Sequence, residues 1–372
     1  GDWSSDVCSS DLITRRKFFK TASAGAAASL ISTSVLLNAA RAKTQEEWRM
    51  AVVWSDPPPE LELFTRMVSE GTDGRLRIKM VSAGEIGPLL ETIEAVGKGT
   101  VEMGHGAPAY WAGKVSAMVF LTLVPFGLTA QEQNAWFEFG GGQELADKIY
   151  AELGCKFLLC GNSGAQMGGW FKNEINSIDD LKGIQMRIGG YGAAVMKSLG
   201  VKLVNLPFSG KAIEQALQEG KIDAAEWMGP APDMKAGLYK HAKYYYYPAW
   251  HEPSAAMDLF INKLKWEALP NDHKAVIKSA AAAINNRILC HNCYQNSASL
   301  SKLVNEHNVQ LKEYSSDMLQ KFRQISDKIL QGQASKDNQT QEVLNSIWRF
   351  QKEATGWSGV SLQSFLNARN TV

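Results

Sequence analysis

Between residues 48 and 250, short apolar runs alternate with segments of helical periodicity, the pattern of strands covered by helices. The run 48–54 reads as a first strand, broken by Ser55-Asp56-Pro57-Pro58-Pro59. Helical spacing continues over 60–70, with a second strand over 75–81, a helix over 89–98 and a short strand over 101–104. This alternation predicts parallel sheets and puts 105–113 in a loop at a strand's carboxyl end, where open α/β sheets hold ligands. Helical periodicity over 129–154 is cut by Gly140-Gly141-Gly142, and the apolar strand 155–161 runs into GNSGAQMGGWF. That strand and the extended aromatic run 244–250 are the expected crossings between two lobes. Ser177 is read as the N-cap of a short helical turn, and strand 184–188 ends in Gly189-Gly190. Strand, helix and strand succeed one another over 201–206, 210–219 and 222–227. From Leu264 glycine becomes sparse and helical signals dominate, through 270–308 and on to the end. Such a tail packs around the first lobe or offers its apolar stripes to a second copy.

Charge changes this picture by exclusion. Lysine plus arginine (39) and aspartate plus glutamate (38) nearly balance, so no strong field favours nucleic acid or an anionic membrane surface. The partner is expected to be a small molecule or a protein. The richest apolar segment after the N-terminal region, 118–128, is too short to span a bilayer. Residues 1–12 share no pattern with the rest and read as an adapter-derived tail. In 13–42, Arg15-Arg16 precede Phe18-Phe19 and an uncharged, Ala- and Ser-rich stretch, with small residues at Ala40-Arg41-Ala42 for cleavage. This segment resembles a twin-arginine export signal. The chain from residue 43 onward is long enough for two domains.

Cys8 falls in the tail, leaving Cys155, Cys160, Cys290 and Cys293, too few for a disulfide framework. Cys155 and Cys160 are expected on opposite faces of one strand, where they cannot bridge. Cys290 and Cys293 have CxxC spacing but fall in mid-helix with no second ligand pair nearby. They read as buried small residues on one helical face, with a redox module as the alternative.

Candidate chemistry gathers at three places: Gln166 in QMGGWF, Arg187 in MRIGG and Glu226-Trp227 in IDAAEWMGP. Arg187 ends an apolar strand before two glycines, where its fork can hold a carboxylate bidentately. Glu226 has no basic residue near it in sequence, so burial there requires a cation or a donor from elsewhere. A hard cation on oxygen ligands, sodium or calcium, would satisfy it; so would pairing with Arg187. No GxGxxG comes after a strand and no HExxH or GxSxG occurs. A metal-dependent exported enzyme acting on 2-oxo acids, with Glu226 or His251 as its base, is the alternative class.

GNSGAQMGGWF, LKGIQMRIGG, IDAAEWMGP and YYYYPAW, in this order, resemble the solute-binding proteins of TRAP transporters, specifically the dimeric branch for 2-oxo acids such as pyruvate, or lactate. EIGPLLETIEAVGKGTVEMGHGAPAYWAGK and LTAQEQNAWFEFGGGQEL extend the similarity over nearly all of the chain after 42. The resemblance implies an α/β, type II-like two-lobed periplasmic binding protein with hinge strands. Its lobes would be 43–161 with 252–310, and 162–251, and 311–372 would be a helical dimerisation region. It implies capture of a small organic carboxylate for membrane permease subunits. Arg187 would hold the carboxylate, and Gln166, Glu226, the Trp227 carbonyl and Glu252 would hold sodium or calcium beside it. Tyr110, Asn162, Trp170 and Trp250 would line the cleft, and His251 stands where an aromatic residue is expected.

Overall fold

The computed structural model describes residues 45–371; the expected tail and export signal lie outside them. Two sheets form, each with a core on both faces. The first has the order β2-β1-β3-β10-β4, where β1 is Glu46–Val52, β2 Leu76–Ser82, β3 Met103–Gly106, β4 Cys155–Asn162 and β10 Ala256–Asn262. The second has the order β11-β9-β5-β8-β6-β7: β5 is Gly169–Phe171, β6 Gln185–Arg187, β7 Lys202–Leu203, β8 Ala224–Ala225, β9 Tyr244–Tyr247 and β11 Gln310–Glu313.

Neither sheet is the all-parallel one that the alternation suggested. β1 lies parallel to β2 and β3, but β10 is antiparallel to both β3 and β4. In the second sheet β5 runs antiparallel to β8 and β9. The cause is the crossings: a strand entering a sheet directly from the other sheet, without a covering helix, has no handed βαβ unit to make it parallel. All seven residues of β10 are buried, which suits a strand covered on both faces.

Cys155 and Cys160 of β4 face the two different cores of the first sheet, as their spacing required. The glycine run separates helices Ala130–Phe139 and Gly142–Glu152 through Gly141, at φ 89°. Thr129 and Glu132 form a capping box that fixes where the first of these starts.

The C-terminal third does not form a separate layer. Helix Asn271–Asn305 buries Ile277, Ala280, Ile284 and Ile288 against the first sheet, while Leu303 near its end joins the second core. β11 then adds an edge to the second sheet, so the boundary expected at 310 cuts a strand. Helix Ser316–Ala334 packs Met318 and Phe322 into the second sheet's core, and helix Asn338–Ser358 returns Val343, Leu344 and Ile347 to the first. The chain therefore crosses between sheets beyond the two expected connections. Cys290 and Cys293 are exposed on the long helix rather than buried, because its apolar stripe runs through Ile284 and Ile288 on another face. No helix among the described residues is long and apolar enough to cross a membrane.

Candidate functional site

β6 ends at Arg187 and its parallel neighbour β8 ends at Ala225, with Arg187 opposite Ala225 in the register. The next residue, Glu226, is thereby carried to the same sheet edge. Its N–H donates to the Arg187 carbonyl at 2.9 Å. Arg187 Nη1 donates to Glu226 Oε2 at 2.8 Å and also to the Glu226 main-chain oxygen. Both side chains are nearly shut off from water, at 10 and 3 % exposure. Pairing with Arg187, held open in the sequence, is thus realised.

The crossings bring the remaining groups. Ser163 N–H donates to the Ala255 carbonyl and Ala255 N–H to Ser163 Oγ, both at 2.9 Å, which ties the two connections together. Gln166 hangs on this junction, its Nε2 donating to Ser163 Oγ at 3.3 Å and to Glu252 Oε1 at 3.1 Å. His251, on the second crossing, sets Nε2 3.6 Å from Glu226 Oε1. Ligand atoms of Glu226, His251 and Glu252 all fall within 4.8 Å of one another.

Charge is uneven across this cluster. Burial pushes the Glu226 carboxyl up, but Arg187, His251 and the Gly189 N–H together outweigh it and hold it below the usual range. Glu252 is pushed up to about 8, first by burial and then by the negative Glu226 beside it. A buried and a half-buried carboxylate thus share one arginine. Gln166 Oε1 is buried with no hydrogen-bond partner among the described residues. An unpaired amide oxygen and surplus carboxylate density on one side of the cleft fit a cation, as the donor types predicted.

Aromatic rings close over Arg187. Its guanidinium lies 5.3 Å from the Trp227 ring and 5.7 Å from Phe208. Phe208 in turn meets Tyr110, from the first sheet's side, edge to face at 5.4 Å. Burial, then the charge of Glu252, raises the Tyr110 hydroxyl's pKa, while Arg187 opposes the rise. Phe120 stacks on Tyr191 at 5.1 Å, and Lys235 pairs with Asp56, so segments flanking the two sheets touch one another.

Three expected cleft residues are placed elsewhere. Trp170 is fully buried, stacked on Tyr245 at 3.8 Å with its N–H on Asp233, a core contact reached because alternation turns it away from the cleft. Trp250 packs against Phe322 at 4.6 Å in the second sheet's other core. Asn162 spends its amide on the first crossing, donating to Gln133 Oε1 and accepting from Gly164 N–H. Phe208 was missed: it lies just past the apolar run 201–206 and Pro207, where nothing in the pattern separates it from the strand before it, and only its reach toward Tyr110 marks it.

A two-sheet α/β fold that hangs amide and carboxylate groups from its crossings, beside a buried arginine at a strand end, defines a solute-binding protein. The profile of bacterial extracellular solute-binding protein family 7, DctP, matches residues 59–337, and the chain belongs to this family. It is 39 % identical over 362 residues to a monocarboxylate 2-oxoacid-binding periplasmic protein from a Nostoc species, covering 95 % of this chain and 98 % of that one. A TRAP periplasmic solute-binding protein from Colwellia psychrerythraea, solved with calcium and pyruvate bound, superposes with a TM-score of 0.82 at 35 % identity. One from Pseudoalteromonas atlantica, with sodium and pyruvate, superposes at 0.80 and 35 % identity; each alignment covers 87 % of this chain and 99 % of the other. The relatives are transport proteins, and the family is extracytoplasmic; the enzyme alternative finds no support among them.

Proposed function

We propose that this chain captures a short 2-oxo or 2-hydroxy monocarboxylate, such as pyruvate or lactate, and delivers it to the membrane subunits of a TRAP transporter. One observation carries the reading: among the described residues, both hydrogen bonds that Arg187 makes leave from Nη1. Nε and Nη2 remain for a carboxylate, which they can take as a fork. The aromatic lid of Trp227, Phe208 and Tyr110 excludes water from that pair and limits ligand length. A sodium or calcium ion held by Gln166, Glu226, Glu252 and the Trp227 carbonyl would neutralise charge that the carboxylate adds. Relatives that bind pyruvate with such ions support this.

The same reading assigns export to the twin-arginine segment 13–42 and ligand-driven closure to lobes built on the two sheets. It assigns dimerisation to the end of the chain, where Trp357, Val360, Leu362 and Phe365 are exposed. Calorimetric titration of pyruvate and lactate into wild type and Arg187→Ala tests the core of the proposal. The variant is expected to lose at least about tenfold in affinity, consistent with removing a charged hydrogen-bond pair worth roughly 1.5–3 kcal/mol. Equal affinity of both proteins for each acid would reject the site.

A further inference from the structure

Away from the cleft, the CxxC pair is open to solvent. Cys290 and Cys293 are exposed, while Cys155 and Cys160 are buried in β4. Burial, then the charge of Asp258, pushes the Cys155 thiol up to about 12 and raises Cys160 as well. Thiol exchange needs an accessible sulfur that can ionise, so among the described residues it is confined to the CxxC pair. The family is extracytoplasmic, and such compartments are oxidising. An open thiol there meets disulfides.

The pair lies in the middle of helix Asn271–Asn305, at positions i and i+3. Regular helix geometry sets their Cα atoms about 5 Å apart, inside the span of about 4.4–6.8 Å that a disulfide bridges. Cβ atoms at this spacing lie about 5–6 Å apart, whereas a relaxed bridge wants about 3.5–4.5 Å. Closure therefore requires the turn to tighten, and a bridge formed under such strain is easily reduced again. Cys290 also lines a groove of about 620 Å³ between this helix and helix Glu60–Gly71. Arg66 and Arg287 line it too, with no ion-pair partner among the described residues; of its two carboxylates, Glu62 and Glu60, the latter is taken by His291 Nδ1 at 2.6 Å. A groove of this size admits a small molecule, and two free guanidiniums suit one that carries carboxylates.

We infer that Cys290 and Cys293 form a reversible redox site, which exchanges with a small carboxylate-bearing disulfide of the glutathione class and whose closure loosens the helix's hold on the first crossing. The Cys290 thiolate attacks one sulfur of that disulfide, forming a mixed disulfide and releasing one small thiolate. The Cys293 thiolate then attacks Cys290 Sγ, closing the bond within the chain and releasing the second. The released thiolates take up the two protons that the cysteines gave up, and two electrons pass from the protein pair to the small disulfide.

The turn that must tighten is one that holds the crossing. Between the cysteines, Asn292 Nδ2 donates to the Asn162 carbonyl at 3.3 Å. On either side of it, Asn285 Oδ1 accepts from the Gly161 N–H at 3.0 Å and Asn296 Oδ1 from the Ala231 N–H at 2.9 Å. One stripe of the helix is thus fastened to the end of β4 and to the segment after β8, so a displaced turn is felt where the sheets connect.

The test uses the full chain, reduced and then exposed to excess glutathione disulfide with no organic acid present, so its outcome is independent of the proposed ligand. A mild alkylating reagent on the native reduced protein is expected to label Cys290 and Cys293 and to spare Cys155 and Cys160. After the disulfide, peptide mapping is expected to find Cys290 and Cys293 unlabelled, free of glutathione and joined to each other, with labelling restored by dithiothreitol. Cys290→Ser and Cys293→Ser each lack one partner and are expected to retain a glutathione on the cysteine that remains. Amide hydrogen exchange over 161–166 is expected to rise at least about twofold in the bridged wild type and to stay unchanged in the double serine variant given the same treatment. Native thiols that resist the reagent, a mixed disulfide that persists in wild type, or a bond joining two chains would overturn the redox site. Equal hydrogen exchange before and after bridging would overturn its link to the crossing.

Discussion

Asp258 shows what a single buried charge does to this fold. It is fully buried in β10, where Oδ2 accepts from Trp111 Nε1 at 2.8 Å and from the Tyr150 hydroxyl, while Oδ1 has no side-chain partner among the described residues. Burial pushes its pKa up from 3.8 to about 6. In the window between those values the folded chain keeps a proton that the unfolded chain has lost, so the stability owed to this group falls as pH rises and levels off above 6. Asp258→Asn can keep both accepted hydrogen bonds without the charge. Urea denaturation near pH 4 and pH 7 is therefore expected to show the variant gaining on wild type by about 2 kcal/mol as pH rises. A constant difference would mean that Asp258 is not the titrating group. Nothing in the sequence marks this residue, since its partners come from distant segments. Arg187 and Glu226 were legible because each ends an apolar run, and a strand end is where a polar group can face a cleft. Trp170 was misplaced for the complementary reason: a tryptophan beside a glycine crossing carries no mark of which face it takes.

At the scale of elements, helix Ser316–Ala334 has a role that its polar, Lys- and Gln-rich sequence does not announce. Phe322 is fully buried between Trp250 at 4.6 Å and Tyr314 at 5.4 Å. Trp250 precedes His251 and Glu252, so the helix holds the second crossing in place from behind. Phe322→Ala is expected to cost about 3–5 kcal/mol in denaturant unfolding. It should also weaken pyruvate binding in calorimetry although Phe322 touches no candidate ligand group. Full affinity in a destabilised variant would show that the crossing is held by other contacts. Runs of apolar residues revealed β1 to β4 and β6 within a few residues of their observed bounds, because burial of a strand is a local property of composition. Strand direction is not local: β10 is antiparallel because it arrives from the other sheet, and β11 is a four-residue edge, Gln310–Glu313, too polar and short to stand out from the helices around it.

For the whole molecule, the proposed dimer contact falls on the last helical segment. Trp357 and Val360 are 71 and 72 % exposed, and Leu362 and Phe365 are 50 and 61 % exposed. Along a regular helix Trp357 and Phe365 would point about 80° apart. The π turn Gly359–Gln363 lies between them and absorbs an additional residue, which reduces that divergence to about 20° and brings both rings onto one stripe. A stripe of large apolar side chains left in water at the end of a chain is costly unless covered, and a second copy supplies the matching surface by symmetry. The paired change Trp357→Glu and Phe365→Glu places a charge at each end of the stripe and touches no group near Arg187. Sedimentation velocity is expected to find a dimer for wild type and a monomer for the double variant, with pyruvate affinity the same within about twofold. A wild-type monomer at tens of micromolar, or a double variant that still dimerises, would place the contact elsewhere. Loss of pyruvate binding on becoming monomeric would instead show that closure of the two sheets depends on the second copy.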